Sequence, residues 1–255
     1  MDVGDAAGNP MIRNALGDSF PASPEITLRL CREAGIDEYS NVLHLGAGVG
    51  TVCQLLIETF GCKATGVVAI EPLLQHCIYE DERVHYVHSK MSEPPFEEGT
   101  FSHVLIECRC VIQADIEGVF SAAKKMLIPG GQLIVNEPVM LSNSSLPKLI
   151  GRMVGETRIN EVVHQRTAME IGIEMSTVGF DIINSRSEPE VTERLLNKLK
   201  QVSMLLKMAF RFSSFDPHSE AFPFTKKDLI KAFEELKTAL ADETFGWHSW
   251  RATPI

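Results

Sequence analysis

The sequence predicts an α/β fold: a doubly wound, mostly parallel sheet with helices on both faces and a helix-rich insertion in its C-terminal half. Three observations predict it. Short apolar runs with strand character alternate with helical stretches from Pro24 to Asn136, the pattern of βαβ crossovers. The first of those strands ends in a glycine-rich turn, Gly46-Ala47-Gly48-Val49-Gly50, that leads straight into a helix. Beyond Met140 the strand signals thin out, and apolar residues recur instead at helical spacing.

Taken in order, Ser23-Pro24 reads as an N-cap followed by Pro at the first helical position, opening a helix through Ile36. Asn41 to Leu45 is a short buried strand. Thr51 to Phe60 is the helix after the glycine turn, with Gly61 as its C-cap. Residues 64–70 predict a second strand, 72–79 a short helix, and 84–88 a third strand. Residues 103–107 predict a fourth strand and 114–127 a helix, and Pro129-Gly130-Gly131 a turn into a fifth strand, Gln132 to Asn136. Residues 140–178 read as helix-rich, 180–184 as a sixth strand. From Glu190 to about Phe212 a long helix carries Val191, Leu195, Leu199, Val202 and Leu206 on one stripe. Thr225 opens another helix, with Asp228 placed to complete a capping box. The aromatic-rich run 244–252 is the last strand, in which Trp247 and Trp250 are packing residues.

Composition narrows the function. The chain has 255 residues, 44% of them hydrophobic, with 24 Lys and Arg against 34 Asp and Glu for a net charge of −10. That balance argues against nucleic acid or an anionic membrane surface as the partner. No apolar run is long enough to span a membrane, and the first 23 residues have neither a secretory nor a transit signature. Cys31, Cys53, Cys62, Cys77, Cys108 and Cys110 make no CxxC pair and no Cys/His repeat, so no metal site is expected. Thiols inside strands and helices behave as small hydrophobes and fit a reducing compartment: the cytoplasm, or an organelle if a presequence has been removed.

The glycine turn, VLHLGAGVG at 42–50, is the sharpest feature. Glycines after a buried strand permit a tight turn and close backbone approach to a ligand, and the helix behind it presents free N–H groups. A dinucleotide fingerprint needs Gly or Ala at its sixth position; Thr51 stands there. Together with ETFGCKATGVV (58–68), SEPPFEEGTFSHV (92–104) and AAKKMLIPGGQLIV (122–135), the turn resembles the class I S-adenosylmethionine-dependent methyltransferases over residues 24–140. The resemblance implies a Rossmann-like, seven-stranded sheet with an antiparallel last strand, S-adenosylmethionine as cofactor, and a small molecule as methyl acceptor. It divides the chain into an N-terminal segment 1–23 that could act as a lid and a single domain 24–255. Within that domain, 24–140 is the cofactor half, 141–243 a helix-rich cap over the sheet's carboxyl edge, and 244–255 the last strand.

On that resemblance the cofactor-binding candidates are His44, Gly46, Ala47, Gly48, Gly50, Glu71, Met91, Ser92 and Glu107, and Cys108, Arg109 and Cys110 are weaker candidates for the substrate. His103, Glu107 and Glu137 are the candidates for a general base, though no residue is required to be one. Four positions where the family carries acids hold His44, Val68, Lys90 and Ser102 instead. A ribose held by a carboxylate gains charge-assisted hydrogen bonds that Val68 does not offer, which leaves Glu71 as the substitute if the second strand runs longer. These departures keep an alternative open: a catalytically inactive, methyltransferase-like protein serving as a structural or assembly subunit of a larger complex.

Overall fold

The computed structural model describes residues 24–69, 71–77, 79, 81–108, 115–141, 166–197, 200, 204 and 225–255. Seven strands form one sheet: β1 (Asn41–Leu45), β2 (Lys63–Val68), β3 (Val84–His88), β4 (Phe101–Glu107), β5 (Leu127–Met140), β6 (Phe180–Ser187) and β7 (Phe245–Pro254). Their spatial order is β3-β2-β1-β4-β5-β7-β6. The pairs from β3 across to β5 are parallel, and β7 lies antiparallel between β5 and β6. The chain starts in the middle at β1, winds out to β3, and returns to β4 on the other side of β1. The carboxyl ends of β1 and β4 therefore stand side by side, Leu45 opposite Ile106, at the topological switch point where doubly wound folds bind ligands.

Helices α1 (Pro24–Glu33), α2 (Thr51–Phe60) and the helical residues 189–197 cover one face; α4 (Ile116–Met126) and α5 (Ala168–Thr177) cover the other. Strand alternation assigns the faces. Leu43, Leu45, Val104, Ile106, Leu133 and Val135 pack under α4 and α5, whereas Val42, Leu105 and Ile134 pack under α1. Trp247 and Trp250, three positions apart on β7, point to opposite faces and fill both layers, as packing residues should.

Local chemistry fixes the helix ends. Two left-handed glycines bracket α2, Gly50 at φ 84° and Gly61 at φ 71°, and the Gly61 N–H bonds to the Ile57 carbonyl. Asp115 caps α4 through the Gly118 N–H. Thr167 with Glu170 makes a capping box for α5, and Thr225 with Asp228 makes the expected one for α6 (Lys226–Ala241).

Some expectations need correction. The helix over 72–79 shrinks to α3 (Glu71–Leu74) because the chain tightens at once into i→i−3 bonds, His76 to Leu73 and Cys77 to Leu74. Pro129-Gly130-Gly131 does not precede the fifth strand but bulges inside it. Phe101 pairs with Leu127 and His103 with Gln132, so β5 advances five residues while β4 advances two, and Gly130 takes φ 78° to allow it. Of the long helix expected at 190–212, residues 189–197 are helical and most of the remainder lies outside the described residues. The same holds for most of 140–165 and for the segment 1–23.

The last turns of the insertion reach the sheet's carboxyl edge. Met140 ends β5, and around it and Phe245 gather Leu195, Leu196, Leu236 and Leu240. Between α6 and β7, exposed Glu243 sits at φ 51°. A side chain there costs about 1–2 kcal/mol against an ordinary conformation, part of which a flexible glycine would lose again in the unfolded chain. Glu243→Gly should accordingly raise stability by about 0.5–1 kcal/mol, read as a higher urea midpoint.

Candidate functional site

The glycine turn closes the carboxyl end of β1 and is tied to its neighbour. The N–H groups of Gly46 and Ala47 both donate to the Val67 carbonyl, at 3.0 and 2.8 Å, and Gly50 N–H donates to Ala47 at 2.9 Å. Gly46, Gly48 and Gly50 all take positive φ: 84°, 59° and 84°. Gly50 must also lack a Cβ for an internal reason: the Tyr86 ring fills that space, and its hydroxyl donates to the Gly50 carbonyl at 3.2 Å. The Cys77 thiol reaches the Gly48 carbonyl from behind at 3.5 Å. With glycine as N-cap, α2 has no side-chain cap, so its first N–H groups and the positive end of its dipole suit an anionic ligand group at the crevice.

His44 and Glu107 flank that turn on the α1–α2 face. His44 is buried at the penultimate position of β1, its Nδ1 3.9 Å from Cys53 Sγ on α2. Glu107, the last residue of β4, is fully buried; its Oε1 accepts from Thr27 Oγ1 at 2.7 Å and from Asn136 Nδ2 at 2.9 Å. Asn136 Oδ1 in turn accepts from the Trp247 indole at 2.8 Å. Sequence reasoning missed Thr27 and Asn136. The available signal was the polar pair Asn136-Glu137 inside an apolar run, LIVNEPVM, where a buried amide needs a partner.

The other candidates divide. β2 ends at Val68 and is no longer than that, so Glu71 stands just beyond the β2 edge as an exposed side chain at the start of α3, not as a strand residue. Met91 is buried in the core beneath α4, and Ser92 lines a cavity of about 360 Å³ with Pro94, Asp115 and Ser121. Glu137 is fully buried one residue past Asn136 on β5, opposite His248 of β7. Cys108 follows β4, past the end of the strand, at φ 53°, its N–H on the Asn136 carbonyl at 3.1 Å. Arg109 and Cys110 lie outside the described residues. Burial pushes the thiols of Cys31 and Cys53 well up and those of Cys62 and Cys77 to about 11, which leaves them neutral packing groups. Among the described residues no cluster of His, Cys, Asp and Glu could hold a metal.

Three of the positions lacking family acids have local explanations. Ser102 is at the amino end of β4, far along the strand from the crevice, and clasps Asn41 through both backbone groups at 2.9 and 3.1 Å. Lys90 is exposed and paired with Glu93. Val68 is fully buried among Ala47, Cys53 and Ile57. Val68→Asp would put a charge into that apolar cluster, so it should lower stability by several kcal/mol rather than restore a ribose contact; a thermal melt of the variant decides.

His103 is likewise set in the amino half of β4 and not near its carboxyl end. Its Nε2–H donates to the Ala34 carbonyl at 3.0 Å, and Nδ1 faces the Ser102 hydroxyl at 2.9 Å. Burial lowers its pKa, as it does for His248. A lowered folded-state pKa means the unfolded chain takes up protons first as pH falls, so stability is lost as pH drops below about 6.5. The urea midpoint should fall between about pH 7 and 5, and His103→Gln should flatten that slope.

Comparison with known proteins agrees with this geometry. Residues 43–135 match the family model "Methyltransferase domain". The sterol 24-C-methyltransferase of Kluyveromyces lactis is 28% identical over 177 residues, 66% of this chain and 47% of that protein. The chain spans about half the length of that relative, and less of some others. A Galdieria sulphuraria structure, provisionally described as a sarcosine dimethylglycine methyltransferase, superposes with a TM-score of 0.77 at 14% identity, covering 97% of both chains. Phosphoethanolamine N-methyltransferase 2 of Haemonchus contortus, solved with phosphomonomethylethanolamine and S-adenosylhomocysteine, gives 0.75 at 18% identity over 99% of this chain and 58% of that one. With its seven-stranded sheet, antiparallel β7 and glycine turn at the switch point, the chain has the Rossmann-like fold of these methyltransferase structures, and its residues 43–135 are similar to the methyltransferase domain family.

Proposed function

We propose that this chain binds S-adenosylmethionine in the switch-point crevice and transfers its methyl group to a small molecule. The observation that carries the reading is the placement of the matched methyltransferase domain's glycine turn beside Glu107 and the uncapped start of α2. The cofactor supplies an electrophilic methyl group on a positively charged sulfonium. The chain's part is to bind, orient and exclude water, because in-line transfer gains most from positioning. The Gly46–Gly50 turn and the α2 N-terminus would receive the cofactor's carboxylate end, and the buried carboxylate of Glu107 would balance positive charge nearby. Glu71, exposed beyond β2, would reach the ribose in place of Val68. Met91 and Ser92, just beyond β3, would border the adenine.

The acceptor is an uncharged or amine-bearing small molecule on this reading, since the relatives' names cover sterols, sarcosine and phosphoethanolamine. Free cysteines at positions 31, 53, 62, 77 and 108 are consistent with a reducing compartment such as the cytoplasm. No helix among the described residues is long and apolar enough to cross a membrane. The rival reading, an inactive subunit, loses the support of Ser102, which lies at the wrong end of β4. The test is methyl transfer from S-adenosylmethionine labelled in its methyl group to a sterol, sarcosine and phosphoethanolamine. Labelled product from any of them supports the proposal; binding of the cofactor without transfer to any acceptor class would favour the inactive subunit.

A further inference from the structure

We propose that Thr27, Asn136 and Trp247 are positioning residues that hold the carboxylate of Glu107 ionised and fixed in direction beside the cofactor crevice. The inference rests on the function proposed above and adds to it a device that the glycine turn does not supply.

The direction of the chain of bonds follows from donor chemistry. An indole N–H only donates, so the 2.8 Å contact from Trp247 must end on the carbonyl oxygen of Asn136. That fixes the amide orientation and turns Nδ2 toward Glu107, where it donates to Oε1 at 2.9 Å. Thr27 Oγ1 donates to the same Oε1 at 2.7 Å. All four side chains are buried, at 0–3% exposure. Two donors converging on one carboxylate oxygen favour the charged form. Among the described residues, the other titratable groups packed on this face are Cys31 on α1, Cys53 on α2, His44 on β1, Cys62 just before β2 and Cys108 just after β4. Burial keeps the thiols of Cys31, Cys53 and Cys62 neutral.

Thr27 is itself held in place. Two residues on, Arg29 joins a closed ring of ion pairs: Arg29–Glu188 at 2.7 Å, Glu188–Arg186 at 2.9 Å, Arg186–Glu33 at 3.2 Å and Glu33–Arg29 at 3.4 Å. Ser249 adds a bond to Glu188 at 2.5 Å. The ring fastens α1 to the end of β6, and so presents the Thr27 hydroxyl to Glu107 from a rigid element. An apolar residue at the end of β4 would be a simpler way to fill the same volume; a carboxylate oriented from three elements fits a cationic ligand.

The test is calorimetric titration of the full chain with S-adenosylmethionine from about pH 8 down to 4.5, alongside thermal midpoints. Wild type is expected to keep its affinity to lower pH than Thr27→Val or Asn136→Leu, in which the acid limb of the affinity profile moves up by about one pH unit. Thr27→Ser should restore the wild-type limb. Trp247→Phe, which releases the Asn136 amide while keeping an aromatic ring in the core, carries the same expectation if either of the first two variants fails to fold. Variants whose limb coincides with wild type, whatever their thermal midpoint, overturn the positioning role. A wild-type chain that binds no S-adenosylmethionine at any pH overturns the functional reading itself, and this inference with it.

Discussion

Gly48→Val is expected to weaken S-adenosylmethionine binding by roughly a hundredfold or more. Gly48 sits at φ 59° in the turn that closes β1, with its carbonyl held from behind by Cys77. A β-branched side chain in that conformation is strained and projects from a backbone that a ligand must approach closely. The strain alone costs about 1–2 kcal/mol, a loss of several degrees in thermal midpoint, so stability must be measured beside affinity. Gly99 provides the control. It is exposed, has φ 65° and has open space where a Cβ would stand, so Gly99→Val carries similar strain away from the site. Both variants should lose stability, and only Gly48→Val should lose binding. Equal binding by the two would mean that the turn is a strand-to-helix connection and nothing more.

Trp250→Ala is expected to cost about 3–5 kcal/mol, the range for deleting a large buried aromatic side chain. Trp250 is 1% exposed, opposite Val135 on β5 and Ser185 on β6, with α5 lying over it at Gly172 and the His248 ring 4.5 Å away. It therefore joins three strands and a helix at one point. Urea unfolding of the variant reads the loss directly. A cost below about 1 kcal/mol would contradict the insertion of β7 between β5 and β6, because only that topology encloses the indole on all sides.

Much of the fold was legible because the sequence marks it locally. Thr225 and Asp228 have the spacing of a capping box, and the box forms; Gly61 stands where α2 must stop, and its left-handed φ stops it. Trp247 and Trp250 read as packing residues of the last strand, and they pack, one into each layer, as a spacing of three along a strand requires. Legibility failed where distant partners decide. The bulge at Pro129-Gly130-Gly131 depends on the pairing of β5 with Phe101 and His103, which no local turn signal reveals. α3 is cut short by a tight turn that the apolar pattern of Leu73 and Leu74 did not announce.

The candidate site shows the same division. The glycine turn was recognisable from its residues, but the reason for Gly50 was not, since it depends on Tyr86, 36 positions away on β3. Ser102 looked like a lost site acid because alignment carries no information about which end of a strand a residue occupies; its place at the amino end removes it from the crevice. Glu107 was a candidate from its position, whereas its partners Thr27 and Asn136, 80 and 29 positions away, become visible only when α1 and β5 meet β4. Side-chain identity set the chemistry available, and topology decided where it gathered.

The most direct measurement is calorimetric titration of the purified chain with S-adenosylmethionine and, separately, S-adenosylhomocysteine near neutral pH. Saturable one-to-one binding of both is expected, weaker than a site with a ribose carboxylate at the end of β2 would give, and further weakened by Glu71→Gln. No heat and no thermal shift with either compound at millimolar concentration would contradict it.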